Sequence, residues 1–222
     1  MDETFKCLIT DLTATRIEGN SYRIQVNDEY LFVRHGIRFD LIIQQDEFIK
    51  YKHILAGAIL NKQLSDKEPN NVYWFTLTLD NLNEKLNQIV YPRTPKSKLD
   101  NLFKSLYQLQ KIDGEVVQIF EVVSKPEFYY KLFFRTPDEC YYYFKELDYQ
   151  NLIKCVFSDN TNKPFKFRIT FKGLNHYLEL TERGDLSNKC FVAMSFDSEL
   201  KETREAIRKA ILQNNFDLLL MR

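Results

Sequence analysis

Short apolar and β-branched runs open the chain at Phe5–Leu12, Thr15–Glu18, Tyr22–Val26 and Glu29–Val33, with Gly19-Asn20 between two of them. Runs of this length, broken by turn residues, predict short antiparallel strands joined by tight turns. The spacing then changes. Phe48, Ile49, Ile54, Leu55, Ala58 and Ile59 recur at helical intervals, and Asp46 is placed to cap a helix reaching about Lys62. Ala56 and Gly57 blur that stripe. Ser65–Asn71 is a loop by composition, Asn71–Leu79 (NVYWFTLTL) predicts a strand, and Asp80–Ile89 predicts a helix.

A second segment runs from about residue 93 to 186. Thr94-Pro95 sets a capping hydroxyl before a proline at the first helical position. Leu99, Leu102, Phe103, Leu106 and Leu109 then mark one apolar helix face. Glu115–Val123 and Glu127–Phe134 predict strands. Thr136-Pro137-Asp138-Glu139 has the form of a capping box and starts a helix to about Gln150, with Phe144 and Leu147 inward. Leu152–Phe157 and Phe165–Ile169 predict a hairpin around a polar loop. Thr170 is placed to cap a last helix, Phe171–Leu180, which fades before Gly184. Two helices, a β-wing and a trailing helix make a winged-helix pattern.

Asp185–Asn188 reads as a linker, and Lys189–Arg222 as strand, loop, helix and strand. Cys190–Met194 is the first strand, ending at Ser195-Phe196-Asp197, and Phe216–Met221 is the second. That is the opening βαβ unit of a parallel, Rossmann-like α/β domain. One crossover cannot bury both faces of its own sheet, so the unit is expected to be the start of a larger domain. The expected class is α+β: a β-rich and helical region at 1–92, a winged-helix-like module at 93–186, and a truncated α/β start at 189–222.

Composition narrows the function classes. Lys plus Arg and Asp plus Glu both number 31, so a strongly basic nucleic-acid binder is not indicated. The chain has no apolar stretch of membrane-spanning length. Its start lacks the basic and apolar regions of a secretory signal, so a cytoplasmic location is expected. Cys7, Cys140, Cys155 and Cys190 form no CxxC pair and suit reduced, buried thiols. Small hairpin domains often need a metal to supplement a thin core, but Cys7 alone cannot make a ribbon site, and no metal is expected. His35, His53 and His176 lie far apart and suit structural roles.

Local chemistry is concentrated in two places. Around the wing, Lys163, Lys166, Arg168 and Lys172 stand against Asp159, a net charge of +3 that could meet phosphates. The preceding helix opposes this, because Asp138, Glu139, Glu146 and Asp148 outnumber Lys145. A packing, dimerisation or ligand-sensing module is therefore the plainer reading. Tyr141, Tyr142, Tyr143 and Phe144 point around a whole helix circumference, which suits core or interface more than base stacking. The second place is the turn after the first α/β strand. Ser195, Phe196 and Asp197 lie where open parallel sheets bind ligands, at a helix N-terminus. Lacking glycine and a Lys-Ser/Thr pair, and carrying Asp197, the turn fits a ribose hydroxyl better than a triphosphate.

The run Cys190-Phe191-Val192-Ala193-Met194-Ser195-Phe196-Asp197 resembles the first strand of TIR-like and nucleoside 2-deoxyribosyltransferase-like domains of bacterial proteins. Many such proteins carry a winged helix upstream, after a zinc-ribbon-like region. His53–Gly57, Pro92–Asp100 and Ile169–Gly173 are similar to that upstream part. The resemblance implies an enzyme that cleaves an N-glycosidic bond in NAD or a related nucleotide, in some members for antiphage defence. Its carboxylate would lie beyond Arg222, so no catalytic residue is expected here and no cofactor is expected to bind. Ser195, Phe196, Asp197 and, after the second strand, Arg222 are the implied substrate-proximal positions. The leading expectation is a sensor or oligomerising region of such a protein. The alternative is a winged-helix DNA-binding regulator with an effector-binding α/β domain, using Lys163, Lys166, Arg168 and Lys172. A bare interaction module, seen as a homo-oligomer, is a third reading.

Overall fold

The computed structural model describes residues 3–66, 72–182, 189–191 and 217–219, with residues 203, 205–207 and 209. The chain is mixed α+β and divides into two compact units, Met1–Thr170 and Phe171–Arg222.

The first unit begins with an antiparallel meander of β1 (Thr4–Lys6), β2 (Thr13–Glu18), β3 (Ser21–Val26) and β4 (Glu29–His35). Its turns use the expected chemistry, with Gly19 and Asn27 both at positive φ. The long Phe5–Leu12 strand is not formed. After β1 the chain folds into a tight turn in which Cys7 N–H donates to Leu12 O (2.8 Å) and Asp11 takes φ 59°. The short helix α1 (Phe39–Ile42) and then α2 (Asp46–Leu60) follow. They carry the chain across to β5 (Trp74–Leu77), which pairs parallel to β4 and completes a five-stranded sheet in chain order. Alternation sets the faces: Ala14, Ile24, Leu31, Val33, Phe75 and Leu77 are buried on one side.

Helix α2 departs from its expected stripe. Gln45, not Asp46, occupies the cap position, and Ile49 is exposed. From His53 to Leu60 every residue is buried. A helix enclosed on all sides has no polar face to preserve, which is why Ala56 and Gly57 sit in its middle. Helix α3 (Leu82–Gln88) completes this part.

Helix α4 (Pro95–Leu109) starts with a full capping box. Thr94 Oγ1 accepts from Ser97 N–H, and Thr94 N–H donates to Ser97 Oγ. Leu99, Leu102, Phe103 and Leu106 are buried as expected, whereas Leu109 is exposed. The two strands predicted next are largely absent. Only β6 (Val117–Gln118) remains of Glu115–Val123. Glu127–Phe134 holds a helical turn, α5 (Pro126–Tyr129), and then a tight bend with Phe133 at φ 63°. Pro126 favours a helix start, and an apolar and aromatic run broken only by Lys131 carries no clear period to distinguish strand from buried turn.

Helix α6 (Pro137–Tyr149) follows, packed against α4 and α5. Thr136 accepts from Glu139 N–H, but the Glu139 carboxylate turns to Arg135 N–H and Lys98, so half of the expected box forms. The hairpin β7 (Ile153–Phe157) and β8 (Pro164–Ile169) then joins β6 in a three-stranded antiparallel sheet of order β6-β8-β7.

In the second unit, α7 (Phe171–Glu182) is followed by β9 (Lys189–Phe191) and β10 (Asp217–Leu219). Those two strands pair in parallel, with helical residues between them. Thr170, the expected cap of α7, donates its hydroxyl to Asn151 O (2.6 Å) and Leu152 O (3.2 Å).

Candidate functional site: a cationic strand face

Alternation along β7 and β8 puts Ile153, Phe167 and Ile169 in the core and turns the intervening residues outward. Lys154 and Arg168 stand directly opposite each other across the two strands. Lys166 lies on the same face, opposite Val156 on one side and Gln118 on the other. Lys154 and Arg168 are exposed, and Lys166 is half-buried. Among the described residues none of the three has a carboxylate at ion-pair distance. Like charges facing each other on a sheet destabilise it, so this face is poised to gain from an anion. Lys163, in the loop before β8, holds its Nζ 3.8 Å from the centre of the Phe120 ring and extends the positive rim.

Of the cations singled out in the sequence, the structure thus gathers Lys163, Lys166 and Arg168. Lys172 belongs to α7 in the other unit. Lys154 was missed, although the alternation of Ile153-Lys154-Cys155-Val156 points it outward; its pairing with Arg168 depends on the hairpin register. The positions Ser195, Phe196, Asp197 and Arg222 lie outside the described residues.

The carboxylates of α6 are engaged within the fold, Glu139 with a cation and Glu146 and Asp148 with neutral donors. Burial raises the Glu139 pKa, but hydrogen bonds from Lys98 (2.6 Å) and Arg135 N–H, with the Lys98 charge, outweigh it and hold the carboxyl below its usual range. Asp148 accepts from Cys155 N–H at 2.9 Å, and Glu146 accepts from Gln150 at 2.8 Å. The exposed stripe of α6 is Asp138, Tyr142, Lys145 and Tyr149, beside the half-buried Glu146 and Asp148. Cys140, Tyr141, Tyr143 and Phe144 are buried, and Tyr142 alone of that cluster faces solvent. This helix offers no basic or amide-rich start for a major groove.

A second polar group lies in the five-stranded sheet. Cys7 Sγ contacts Tyr22 Oη at 3.0 Å, and Tyr22 Oη contacts His35 Nε2 at 2.9 Å. His35 stacks on Phe39 with ring centres 3.5 Å apart. Burial lowers the His35 pKa to about 4 and pushes the Tyr22 hydroxyl well up, the Cys7 thiol adding to the latter. His35 and Tyr22 are therefore neutral near pH 7. The chain of contacts satisfies buried polar atoms. His53 is likewise buried and neutral, its pKa lowered to about 4 by burial and then by Arg135 and Lys98. Cys155 is pushed up to about 12 by burial and by Asp148.

Among the described residues no three His, Cys, Asp or Glu side chains meet in a way that could hold a metal. No described helix is long and apolar enough to cross a membrane.

No protein-family model, curated protein or solved structure matches this chain.

Lys154, Lys166, Arg168 and Lys163 present repeated positive charge, which is complementary to a polyanion. They carry no donor and acceptor pattern that would read base edges.

Proposed function

We propose that the chain is a sensor region whose input is the phosphate backbone of nucleic acid. Residues 93–170 act as the core of a winged-helix module, and the segment opening at Lys189 is the output. The observation that carries this reading is the cationic face of Lys154, Lys166 and Arg168, which have no carboxylate at ion-pair distance among the described residues. The order helix, strand, helical turn, helix and hairpin, with β6 beside β8, supports the winged-helix assignment. Because α6 presents no excess of cations outward, the wing rather than the helix makes contact, and binding is independent of sequence.

The test is fluorescence anisotropy of a short labelled DNA duplex with the full chain over a series of salt concentrations. Dissociation constants on the order of 10⁻⁴–10⁻⁶ M are expected, with log affinity falling against log salt at a slope of about −3. The triple variant K154Q/K166Q/R168Q should bring the slope close to zero. An unchanged slope, or no salt-sensitive binding, rejects the reading.

A second reading concerns the output. The parallel pairing of Lys189–Phe191 with Asp217–Leu219 favours the start of an α/β domain of the TIR-like or nucleoside 2-deoxyribosyltransferase-like kind. On that reading the complete domain acts on NAD or another nucleotide in the cytoplasm, and nucleic acid on the wing controls it. A longer chain that consumes no nucleotide with or without DNA would reject this second part.

A further inference from the structure

The outward face of the five-stranded sheet carries rings and arginines where a solvated sheet normally carries small polar residues. Register aligns Thr15, Arg23, Phe32 and Trp74 in one row across β2, β3, β4 and β5. Tyr30 and Arg34 flank the row on β4. Two arginine–ring stacks occupy it: the Arg34 guanidinium lies 4.6 Å from the Trp74 ring centre, and that of Arg23 lies 5.0 Å from Tyr30. Phe32 and Trp74 rings tilt together with centres 5.0 Å apart. Tyr30 is 47% exposed, and Phe32 and Trp74 are half-buried. Beside Tyr30 the face dips into a hollow of about 500 Å³. The side chains of Thr13, Thr15, Gln25 and Asn27 line it, and Glu127 closes one side.

We infer that this face is a binding platform for single-stranded nucleic acid. Unpaired bases stack on the exposed Tyr30 ring and on the guanidinium planes of Arg23 and Arg34, which already lie against rings. Three strand spacings make the row about 14 Å long, room for two or three splayed bases. The hydroxyls and amides of the hollow can hydrogen-bond a base edge. Glu127 there can accept from an exocyclic amino group, while it repels a phosphate. A protein partner would also use Tyr, Trp and Arg, but the hollow is lined by polar groups and lacks the apolar pocket of a protein hot spot. The inference is independent of the cationic strand face, which would hold duplex through charge alone.

Trp74 is the only tryptophan in the chain, so its fluorescence reports directly on this surface. Titrating the full chain with oligothymidylate should quench Trp74 saturably. An abasic deoxyribose-phosphate oligomer of the same length should bind weakly and leave the emission unchanged. Y30A and R34Q should each weaken oligothymidylate binding about tenfold, the worth of one stacked base. K154Q/K166Q/R168Q should leave the quench intact. Absence of quenching overturns the inference, as does equal quenching by the abasic oligomer. Concentration-dependent self-association that buries Trp74 without oligothymidylate binding would assign the face to a second protein copy instead, and also overturns it.

Discussion

Replacing Gly57 by alanine tests the packing that positions both halves of the first unit. Gly57 lies mid-helix in α2, where alanine is ordinarily preferred by about 1 kcal/mol. Here a Cβ would press on Phe133 Cδ1, stand 2.5 Å from Phe133 Cε1 and lie 2.8 Å from Tyr130 O. Neither neighbour can yield cheaply. Tyr130 O is a backbone atom already accepting from Phe133 N–H at 2.8 Å, and Phe133 is 5% exposed. Asn61 fixes the same junction by donating to Gly57 O and Lys131 O, both at 2.8 Å. Overpacking a filled site costs about 1–3 kcal/mol, and more where backbone must move. The upper end applies, and subtracting the helix gain leaves a net loss of about 2 kcal/mol. For a chain of this size that lowers Tm by about 4–8 °C. Urea unfolding should show a lower midpoint with an unchanged slope. The loss caused by F133A should shrink in the G57A background by about 1–2 kcal/mol, because the clash disappears with the ring. G57A as stable as the parent, or more stable, would refute the close approach of α2 to the Tyr130–Phe133 bend.

Three further outcomes follow from the same structure. Asp11 accepts two hydrogen bonds from Lys52 at 2.9 Å and one from Tyr130 at 2.7 Å; D11A should cost about 1–3 kcal/mol in urea unfolding, and Y130F should cost less in that background than alone. T94A and T136A each remove a helix cap and should each cost about 1 kcal/mol, measured the same way; no change for either would contradict the capping geometry. His35 and His53 have folded pKa values lowered to about 4, against about 6.5 when unfolded. Their contribution is therefore complete above pH 6.5 and is lost as pH falls through 4, by on the order of 2–3 kcal/mol each. Imidazole NMR titrations with midpoints near 6.5 would disprove this.

The local elements were legible because their signals are local. Thr94-Pro95 and Thr136-Pro137 cap helices through atoms a few residues away. Alternation at Tyr22–Val26 and Phe165–Ile169 specifies strands without reference to a partner. Within Glu127–Phe134 the apolar and aromatic run is broken only by Lys131, too little to set a period, and a strand is expected in place of a buried bend. The candidate surfaces were half legible. Lys166 and Arg168 stood out as a charge cluster, whereas Lys154 joined them through hairpin register.

By itself the sequence determined the α+β class, the succession of capped helices and short strands, and the buried cysteines Cys7 and Cys140. Tertiary structure alone decided that β5 lies parallel beside β4, which brings Trp74 level with Phe32, Arg23 and Thr15. It alone decided that Gly57 must lack a side chain, since the atoms that exclude one belong to Tyr130 and Phe133. The physical reason is the same in each case. Side-chain period is a property of neighbouring residues, but cross-strand rows and close approaches join residues whose separation along the chain leaves no periodic trace.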